Sequence, residues 1–534
     1  MSSTFLGFNV ASRAMEASQA TINVTGNNIA NINTEGYSRQ RVDINAITSG
    51  GGIQKYATPQ LSTGLGAKAV GTTQMRDPFL DARYRSQNAE YSQYDKMTTG
   101  LSDLENVFDE AQTDGLQTEL SNFISTLQTF SETPASADIA QVTRTEAQKV
   151  TQIMNMYANQ IKDVRKQQVD DLTVVVSNDV NAAVKSIADL NDKIRTEEIY
   201  GNTPNDLYDQ RNSLIDKLSG IANIKVNRTP EKISEDITVD RLSISLVDKN
   251  TGSSIGLVDN NLYNTIKLTD KGDKVVLSSL NPGFVPNGIG IDPKDITNLF
   301  SDGSVKGYLN LINGEGAFAD PADPADPSVK ENDSKGIPYY QKTMDIFASK
   351  FADVFNKINS IVDPPDSTLK PLFTSSDGTT ITAANIQVSQ KWLDDASYIS
   401  TTNNPPDPTD LLDPKGTPGS ADNVLRMINA LTVDQDFKKD SDPLTPTFFK
   451  GTFNEYMTGL LGDVSMDVEL NKNFASTSKN VLDTISTSRE SVSGVSLNEE
   501  GTNLMAYQKV YNAAIRYFNV LDENLNTIIN TMGK

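Results

Sequence analysis

The strongest hydrophobic pattern of the chain lies at its C-terminal end. Between positions 497 and 528, ten positions follow alternating spacings of three and four residues, and only Glu500 among them is neither apolar nor aromatic. They are Leu497, Glu500, Leu504, Tyr507, Tyr511, Ala514, Phe518, Leu521, Leu525 and Ile528. Four heptads in register without a proline predict a helix that packs in a coiled coil.

The N-terminal segment repeats these spacings more weakly. Its positions are Phe8, Ala11, Met15, Ser18, Ile22, Thr25 and Ile29. A polar turn follows at positions 31–37, in which Gly36 can supply a positive φ. Because an isolated amphipathic helix needs a partner for its apolar face, we expect the two ends to pair, with the chain between them inserted as outward-facing domains. Periodicity leaves open whether these seams close a hairpin within one chain or form packing surfaces between subunits.

The chain between the ends divides by its hydrophobic period. A helical pattern from Ala140 to Ile199 predicts a helix about 90 Å long, which implies a rod. Shorter helical patterns cover Leu116–Phe130, Leu207–Leu218 and Tyr339–Ile361. Strict alternation at Ile237–Val247 predicts strands instead.

These periods predict an α+β multidomain protein with an elongated α-helical rod, formed by paired N- and C-terminal regions in a coiled coil, and with inserted β-rich outer domains. The predicted terminal coiled-coil domain consists of residues 1–60 with 496–534. The predicted helical rod consists of residues 61–225 with 300–361 and 447–495. Residues 226–299 are the predicted β-rich insertion, and residues 362–446 are a second irregular or β-rich insertion.

The run DPADPADP at Asp320–Pro327 predicts a loop or linker, because proline removes backbone donors and the acidic residues stay solvated. A calcium site there would lack the glycine turn and closing glutamate of an EF-hand loop.

Composition narrows the possible chemistry. The 534 residues include neither cysteine nor histidine, which excludes disulfides, thiolate or imidazole metal sites, and a Ser or Cys nucleophile with a His base. The formal net charge of −22 disfavours nucleic acid and anionic lipid as partners. Paired carboxylates are abundant, so an acid–base hydrolase remains possible. Without a signal peptide or an apolar stretch of spanning length, the sequence alone suggests a cytoplasmic protein with no membrane segment.

Residues 27–37 read NNIANINTEGY. They resemble the signature NNIANxNTxGY that flagellar rod, hook and junction proteins share. The signature positions are Asn27, Asn28, Ala30, Asn31, Asn33, Thr34, Gly36 and Tyr37. Three further segments are similar to the family of flagellar hook-associated protein 1, the first hook–filament junction protein. They are YSRQ at 37–40, a helix at 205–219 that contains Asp209, Gln210 and Arg211, and SGVSLNEEGTNL at 493–504, continued by YQKVYNAA at 507–514. Asn498 and Gly501 depart from the family pattern and affect only where the last helix starts.

The resemblance implies a structural component that forms the junction between hook and filament, with no enzymatic activity and no cofactor or metal. It implies the hook protein, the second junction protein (hook-associated protein 3) and the filament side as partners, self-association in a helical ring, and an export chaperone on the C-terminal helix. It also implies export by the flagellar type III system without a cleaved signal, and hence an extracellular location. The seams at Phe8, Ala11, Met15, Ile22 and Ile29 and at Leu497–Ile528 become candidates for packing between terminal helices or subunits.

Three alternatives stay open. Another axial protein, such as hook or distal rod protein, would share the signature but not the long helical stretch with the DQR sequence. A secreted glycan hydrolase or adhesin with axial-type ends would need acidic pairs within Val226–Pro446. A cytoplasmic coiled-coil scaffold would be absent from sheared flagella.

Overall fold

A computed structural model gives the fold of the chain. It describes residues 2–47, 64–108, 115–235, 237–281, 283–284, 293–323, 326–330, 332–360, 370–402, 419–439 and 446–531. The chain is predominantly helical, with long helices at both ends and several small sheets between them. No helix of these residues combines the length and hydrophobicity needed to cross a bilayer.

The two ends of the chain lie side by side. Helix α1 (Ser2–Ala30) runs antiparallel to α12 (Leu497–Thr531), and the hairpin of β1 (Gln40–Ala46) and β2 (Ala67–Gln74) packs against α1. The helices approach closely because Gly7 has no side chain: a Cβ there would lie 2.9 Å from Cδ1 of Leu521. We call α1, β1, β2 and α12 the terminal unit.

The helical body begins with α2 (Pro78–Phe108), which packs antiparallel along α11 (Phe453–Ser493). Helix α3 (Leu116–Glu132) precedes α4 (Ala137–Val174), which continues through a π-helical turn at Val175–Val180 into α5 (Asn181–Ile199). The predicted long helix is thus confirmed, with the π turn as a local irregularity. Thr452 and Glu455 form a capping box at the start of α11, so the helix begins there.

The alternating patterns form two antiparallel sheets. After α6 (Asn205–Ile221), the first sheet has the order β3-β4-β5-β6 and the second β7-β8-β9, and α7 (Ser304–Asn313) follows them. The strands are β3 (Ile224–Lys232), β4 (Thr238–Val247), β5 (Ser254–Asp259), β6 (Leu262–Tyr263), β7 (Ile266–Asp270), β8 (Val275–Ser279) and β9 (Lys294–Asp295). The predicted strand at Ile237–Val247 is confirmed as β4.

The remaining chain surrounds α8 (Ile337–Asn359). Its other elements are β10 (Pro321–Asp323), β11 (Asp326–Lys330), β12 (Phe373–Ser375), β13 (Ile386–Val388), α9 (Gln390–Asp394), α10 (Asp422–Thr432), β14 (Gln435–Lys438) and β15 (Thr447–Gly451). The prediction of a loop at Asp320–Pro327 was wrong for its described part, because β10 and β11 pair as a short hairpin in which Pro321 lies at an end. Helix α10 was missed, since aspartate and proline dominate the composition around it. Parts of the predicted second insertion, at 362–369, 403–418 and 440–445, lie outside the described residues.

Two hydrophobic clusters hold the body together. One joins α2, α3, α4, α8, α10 and α11 around aromatic side chains such as Phe351 and Trp392. The other joins the end of α4, α5, α6 and α7 to the two sheets. Within the described part of the chain, neither cluster includes a residue of the terminal unit. The terminal unit is therefore attached to the body by other means.

Candidate functional site

The signature sequence forms the turn that ends α1. Gly36 has a φ of +80°, a conformation that glycine adopts at no steric cost. The hydroxyl of Thr34 donates to Oδ1 of Asn31 at 3.2 Å, and the amide of Asn31 donates to both oxygens of Asn27. These bonds keep the turn compact.

The buried amide of Asn28 joins three segments of the terminal unit. Its Oδ1 accepts from the hydroxyl of Tyr37 at 2.9 Å and from the backbone N–H of Gln40 at 3.0 Å. Its Nδ2 donates to the carbonyl of Gln40 at 2.9 Å and to Oε2 of Glu500 at 3.0 Å. Every hydrogen-bonding position of this amide is thus used, and α1, β1 and α12 are held together at one point.

Glu500 is the polar exception in the C-terminal seam, and it is only 2% exposed. Its Oε1 accepts from Nε of Arg39 at 2.8 Å, and Nη2 of Arg39 lies 2.7 Å from the same oxygen. Arg39 also reaches Glu499 at 2.9 Å, and its backbone N–H donates to the carbonyl of Ser493. The seam thus carries a carboxylate where α12 meets the signature turn.

Asp209 links the turn to α6 of the body. Its Oδ2 accepts from the backbone N–H of Ser38 at 3.1 Å, and the Ser38 hydroxyl accepts from Arg76 at 3.1 Å. Burial raises the pKa of Asp209, and the nearby charge of Asp206 acts in the same direction. Gln210 beside it is exposed.

Arg211 points into the body, away from the turn. It is 1% exposed, and its Nη1 donates to Oδ1 of Asn191 at 2.9 Å. Burial, and then the charge of Arg228, lower its pKa to about 10. Of the DQR sequence, Asp209 therefore contacts the turn, Gln210 is exposed, and Arg211 packs inside the body.

Three arginines form ion pairs that connect helices of the body beside the turn. Arg76 binds Asp81 at 2.9 Å and Arg85 binds Asp216 at 2.7 Å, and Arg489 of α11 bridges Asp81 and Asp216. Burial alone would raise the pKa of Asp81, but the hydrogen bond from Arg76 and the charges of the three arginines hold it below its ordinary value. This network joins α2, α6 and α11 directly beside the turn.

The heptad positions of α12 divide into covered and open ones. Leu504, Tyr507, Tyr511, Phe518, Leu521 and Leu525 are half-buried and Ala514 is buried. On α1, Phe8, Met15, Ile22 and Ile29 are half-buried and Ala11 is buried. The rings of Phe8 and Phe518 meet edge to face with centroids 5.0 Å apart. Leu497 and Ile528, at the two ends of the seam, are 57% and 49% exposed.

The signature positions differ in how far they are buried within the chain. Asn28 is buried, and Asn31 and Tyr37 are half-buried, whereas Asn27, Ala30, Asn33, Thr34 and Gly36 are exposed. Arg39 and Glu500 had not been predicted as site residues, although Arg39 lies in the YSRQ segment and Glu500 interrupts the seam. No pattern in the sequence pointed to Arg76, Asp81 or Arg489. The described residues contain no group of three or more acidic, histidine or cysteine side chains that could hold a metal ion.

Comparisons with known proteins connect this arrangement to flagellar proteins. Residues 101–361 match the family model of the flagellar hook-associated protein FlgK helical domain. Residues 8–37 match that of the flagella basal body rod protein, and residues 488–531 that of the flagellar basal body rod FlgEFG protein C-terminal region.

Full-length relatives show the same similarity. The chain is 29% identical to flagellar hook-associated protein 1 of Bacillus subtilis over 547 residues, which cover 100% of this chain and 99% of that protein. It is 23% identical to flagellar hook-associated protein 1 of Salmonella typhimurium over 98% of this chain and 99% of that protein. The structure of the flagellar hook junction protein FlgK from Burkholderia pseudomallei aligns with a TM-score of 0.54 at 13% identity, over 77% of this chain and 100% of that one, which indicates a shared fold.

Proposed function

We infer how the chain assembles from one premise, which is that it belongs to the family of flagellar hook-associated protein 1. It is a structural component of the bacterial flagellum that forms the junction between hook and filament and allows filament assembly. The proposal is that the terminal unit acts as one packing element, in which α1 and α12 pair as a short coiled coil and α12 presents a second apolar face to neighbouring subunits.

The observation that carries this proposal is the division of α12 into two faces. The seam from Leu504 to Leu525 faces α1 within the same chain. A second set of large apolar side chains of α12 lies outside this seam and is about half exposed. It consists of Met505, Val510, Val520 and Ile529, whereas the hydroxyl of the half-exposed Tyr517 lies against Gly7 of α1. A helix that is apolar on two faces has a second partner to bury against.

Helix α11 also carries exposed apolar side chains. Met466, Leu470 and Phe474, spaced at i, i+4 and i+8, are between 46% and 71% exposed. Of the 28 exposed large hydrophobic side chains among the described residues, 12 lie on α11 and α12. Because these helices follow each other in the chain, their apolar positions favour contacts with copies of the chain arranged in a helical ring.

The remaining features of the proposal rest on the family. The hook protein and the second junction protein, hook-associated protein 3, with the filament beyond it, are the proposed neighbours along the axis. An export chaperone covers the C-terminal helix before export by the flagellar type III system, and the assembled protein lies outside the cell. The β-rich insertions point outward, the division into domains is the one expected above, and the chain carries out no chemistry.

The test separates assembly from folding and export. In cells that lack the native chain, Val510→Asp with Val520→Asp is expected to yield secreted, folded protein that fails to retain filaments. Leu425→Asp with Val433→Asp is the matched control, because both residues are about half exposed but lie at α10. Filaments attached normally in the α12 variant would contradict the proposal, and loss of secretion would place the defect at export instead.

A further inference from the structure

The terminal unit rests on a single row of positions of helix α6. The side chain of Asn205 donates to a hydroxyl of β2 at 3.1 Å, and Oδ2 of Asp209 accepts from the N–H of Ser38 at 3.1 Å. Four residues further along, Ser213 meets the signature turn, where a Cβ at Gly36 would lie 3.5 Å from Cβ of Ser213. Because residues at i, i+4 and i+8 share one face of a helix, these contacts form a line along α6.

Open space lies on both sides of this line. On the side of α5 is a cleft of about 720 Å³, and on the side of α2 and α11 is a cleft of about 970 Å³. Both clefts are lined by Ser213 of α6 and by Asn31, Thr34, Glu35 and Tyr37 of the turn. No hydrophobic cluster of the described residues joins the terminal unit to the body. A line contact with open space on each side resists rotation about the line only weakly.

The two passages of the chain between the terminal unit and the body lie together. The carbonyl of Arg39 accepts from the N–H of Met75 at 2.8 Å, and the N–H of Arg39 donates to the carbonyl of Ser493 at 2.9 Å. Met75 lies between β2 and α2, and Ser493 ends α11. Since both passages are short and are joined at one residue, rotation of the terminal unit requires changes of φ and ψ at only a few positions.

Two buried acceptors on the row of α6 lack a donor in the present orientation. They are Oδ1 of Asn205 and Oδ1 of Asp209, which have no hydrogen-bond partner among the described residues and belong to side chains that are buried. Nη1 of Arg76 lies 3.8 Å from Oδ1 of Asp209, beyond hydrogen-bond distance. Because Arg76 lies in the passage before α2, a small rotation can bring it within range and offset part of the cost of the unpaired oxygen.

We propose that the terminal unit tilts as one body about this row of α6, with Gly36 against Ser213 as the central contact, so that one cleft opens as the other closes. This inference rests on the proposed function, because tilting changes the direction in which α12 presents its exposed apolar side chains. The same chain can thereby fit neighbours of different geometry towards the hook and towards the filament. The small size of both residues at the central contact favours the motion, since no large side chain has to move out of the way.

Matched tryptophan substitutions test the tilt in the free full-length chain. Gln210→Trp fills part of the cleft beside α5, and Ser486→Trp fills part of the cleft beside α11. Because the chain has no cysteine, spin labels can be attached to pairs of introduced cysteines and their distances measured by electron paramagnetic resonance. Labels at Glu35→Cys and Lys193→Cys span the cleft beside α5, and labels at Glu35→Cys and Lys217→Cys span the cleft beside α11.

The two tryptophans should have opposite effects. Gln210→Trp is expected to lengthen the distance across the cleft beside α5 and to shorten the other, each by more than about 2 Å, the size of ordinary domain rearrangements. Ser486→Trp should do the reverse. Tryptophans that shift both distances in the same direction, or shift neither, would overturn the proposal.

Labels at Lys193→Cys and Lys217→Cys are the control, because both exposed positions lie on helices of the body that share the second hydrophobic cluster. Their distance should not change. If a tryptophan disturbs it, Gln210→Leu and Ser486→Leu repeat the comparison with smaller side chains and the same criterion.

This test is independent of the contacts proposed for α12, because the free chain needs no neighbour in order to tilt. Unshifted distances in a chain that still assembles would overturn the tilt alone. Filaments attached normally in the Val510→Asp with Val520→Asp variant would overturn the α12 proposal alone.

Discussion

The side-chain amide of Asn28 donates a hydrogen bond of 3.0 Å to Oε2 of Glu500, a residue 472 positions further along the chain. At the other end of the same helix pair, Phe8 contacts Phe518. A polar contact at one end and an apolar one at the other fix both the antiparallel direction and the register of α1 against α12. A slip by one heptad would leave Glu500 buried without a donor, which is costly in a low-dielectric site.

Replacing Asn28 tests this register directly. Asn28→Ala leaves Glu500, Tyr37 and both backbone groups of Gln40 with unmade hydrogen bonds, so we expect the terminal unit to lose about 3 kcal/mol of opening free energy. Native-state hydrogen exchange of α1 amides should then accelerate about 100-fold. Asn33→Ala is the control, since the Asn33 side chain is exposed and makes no hydrogen bond to another described residue. Similar exchange in both variants would argue against the Asn28 contact.

Two apolar residues of α12 separate pairing within the chain from contacts between subunits. Phe518 contacts Phe8 of α1, whereas Val520 is 53% exposed. Because Phe518 is half-buried, Phe518→Ala should destabilise the terminal unit by about 2 kcal/mol, less than a fully buried phenylalanine would cost. Val520→Ala should leave amide exchange in α1 unchanged but reduce the number of filaments attached per cell. Equal effects of the two changes on exchange would refute the assignment of the faces.

The sequence predicted the helices that have a long apolar repeat and missed contacts made by single charged residues. The apolar repeat at Leu504–Leu525 predicts that this helix packs against a partner helix, because each heptad places apolar residues on the same face. Arg489, by contrast, lies among polar residues, and only the antiparallel packing of α11 on α2 brings it to Asp81. Glu500 was visible in the sequence as the polar position of the seam. Its pairing with Arg39 depends on the conformation of the signature turn, which cannot be predicted from local sequence patterns. The site is therefore predictable where it is periodic and unpredictable where distant segments converge.

The attachment of the terminal unit to the body should depend on salt. Within the described residues it relies on polar contacts such as Ser38 with Asp209 and on the ion pair of Arg76, which follows β2, with Asp209 at 3.8 Å, and no apolar cluster crosses it. Raising NaCl from about 0.1 M to about 1 M shortens the screening length from about 10 Å to about 3 Å. We expect a broader distribution of spin-label distances between Thr502→Cys on α12 of the terminal unit and Lys217→Cys on α6 of the body, both of which are exposed positions.

The control for this experiment is a pair of labels inside the body. Glu132→Cys on α3 and Asp163→Cys on α4 are exposed, and their helices share the first hydrophobic cluster. Their distance distribution should be the same at both salt concentrations, because burial of apolar surface does not weaken with screening. Broadening of both pairs would indicate general loosening rather than a polar attachment.

Acid should weaken the same region through Asp81. Its carboxyl is about nine-tenths buried, and contacts with Arg76 and Arg489 hold its pKa below the ordinary value. A carboxyl whose pKa is lowered by folding stabilises the fold above its unfolded pKa of about 3.9, and this contribution is lost as the pH falls through the lowered folded value. Asp81→Asn should therefore cost about 3 kcal/mol near neutral pH, because it removes the carboxylate that Arg76 binds at 2.9 Å and one of the two that Arg489 bridges.

This deficit should shrink as the pH falls below about 4, because the carboxyl of the unfolded chain is protonated first, and it should disappear once the pH is below the lowered pKa of the folded carboxyl. Urea unfolding of the native chain and of Asp81→Asn across this range measures it, with Asp163→Asn as the control whose exposed carboxyl makes no ion pair to another described residue. The native and Asp81→Asn curves should converge in acid, whereas the native and Asp163→Asn curves should coincide throughout. A deficit that stays constant down to strong acid would mean that Asp81 acts through its shape and hydrogen bonds, and not through its charge.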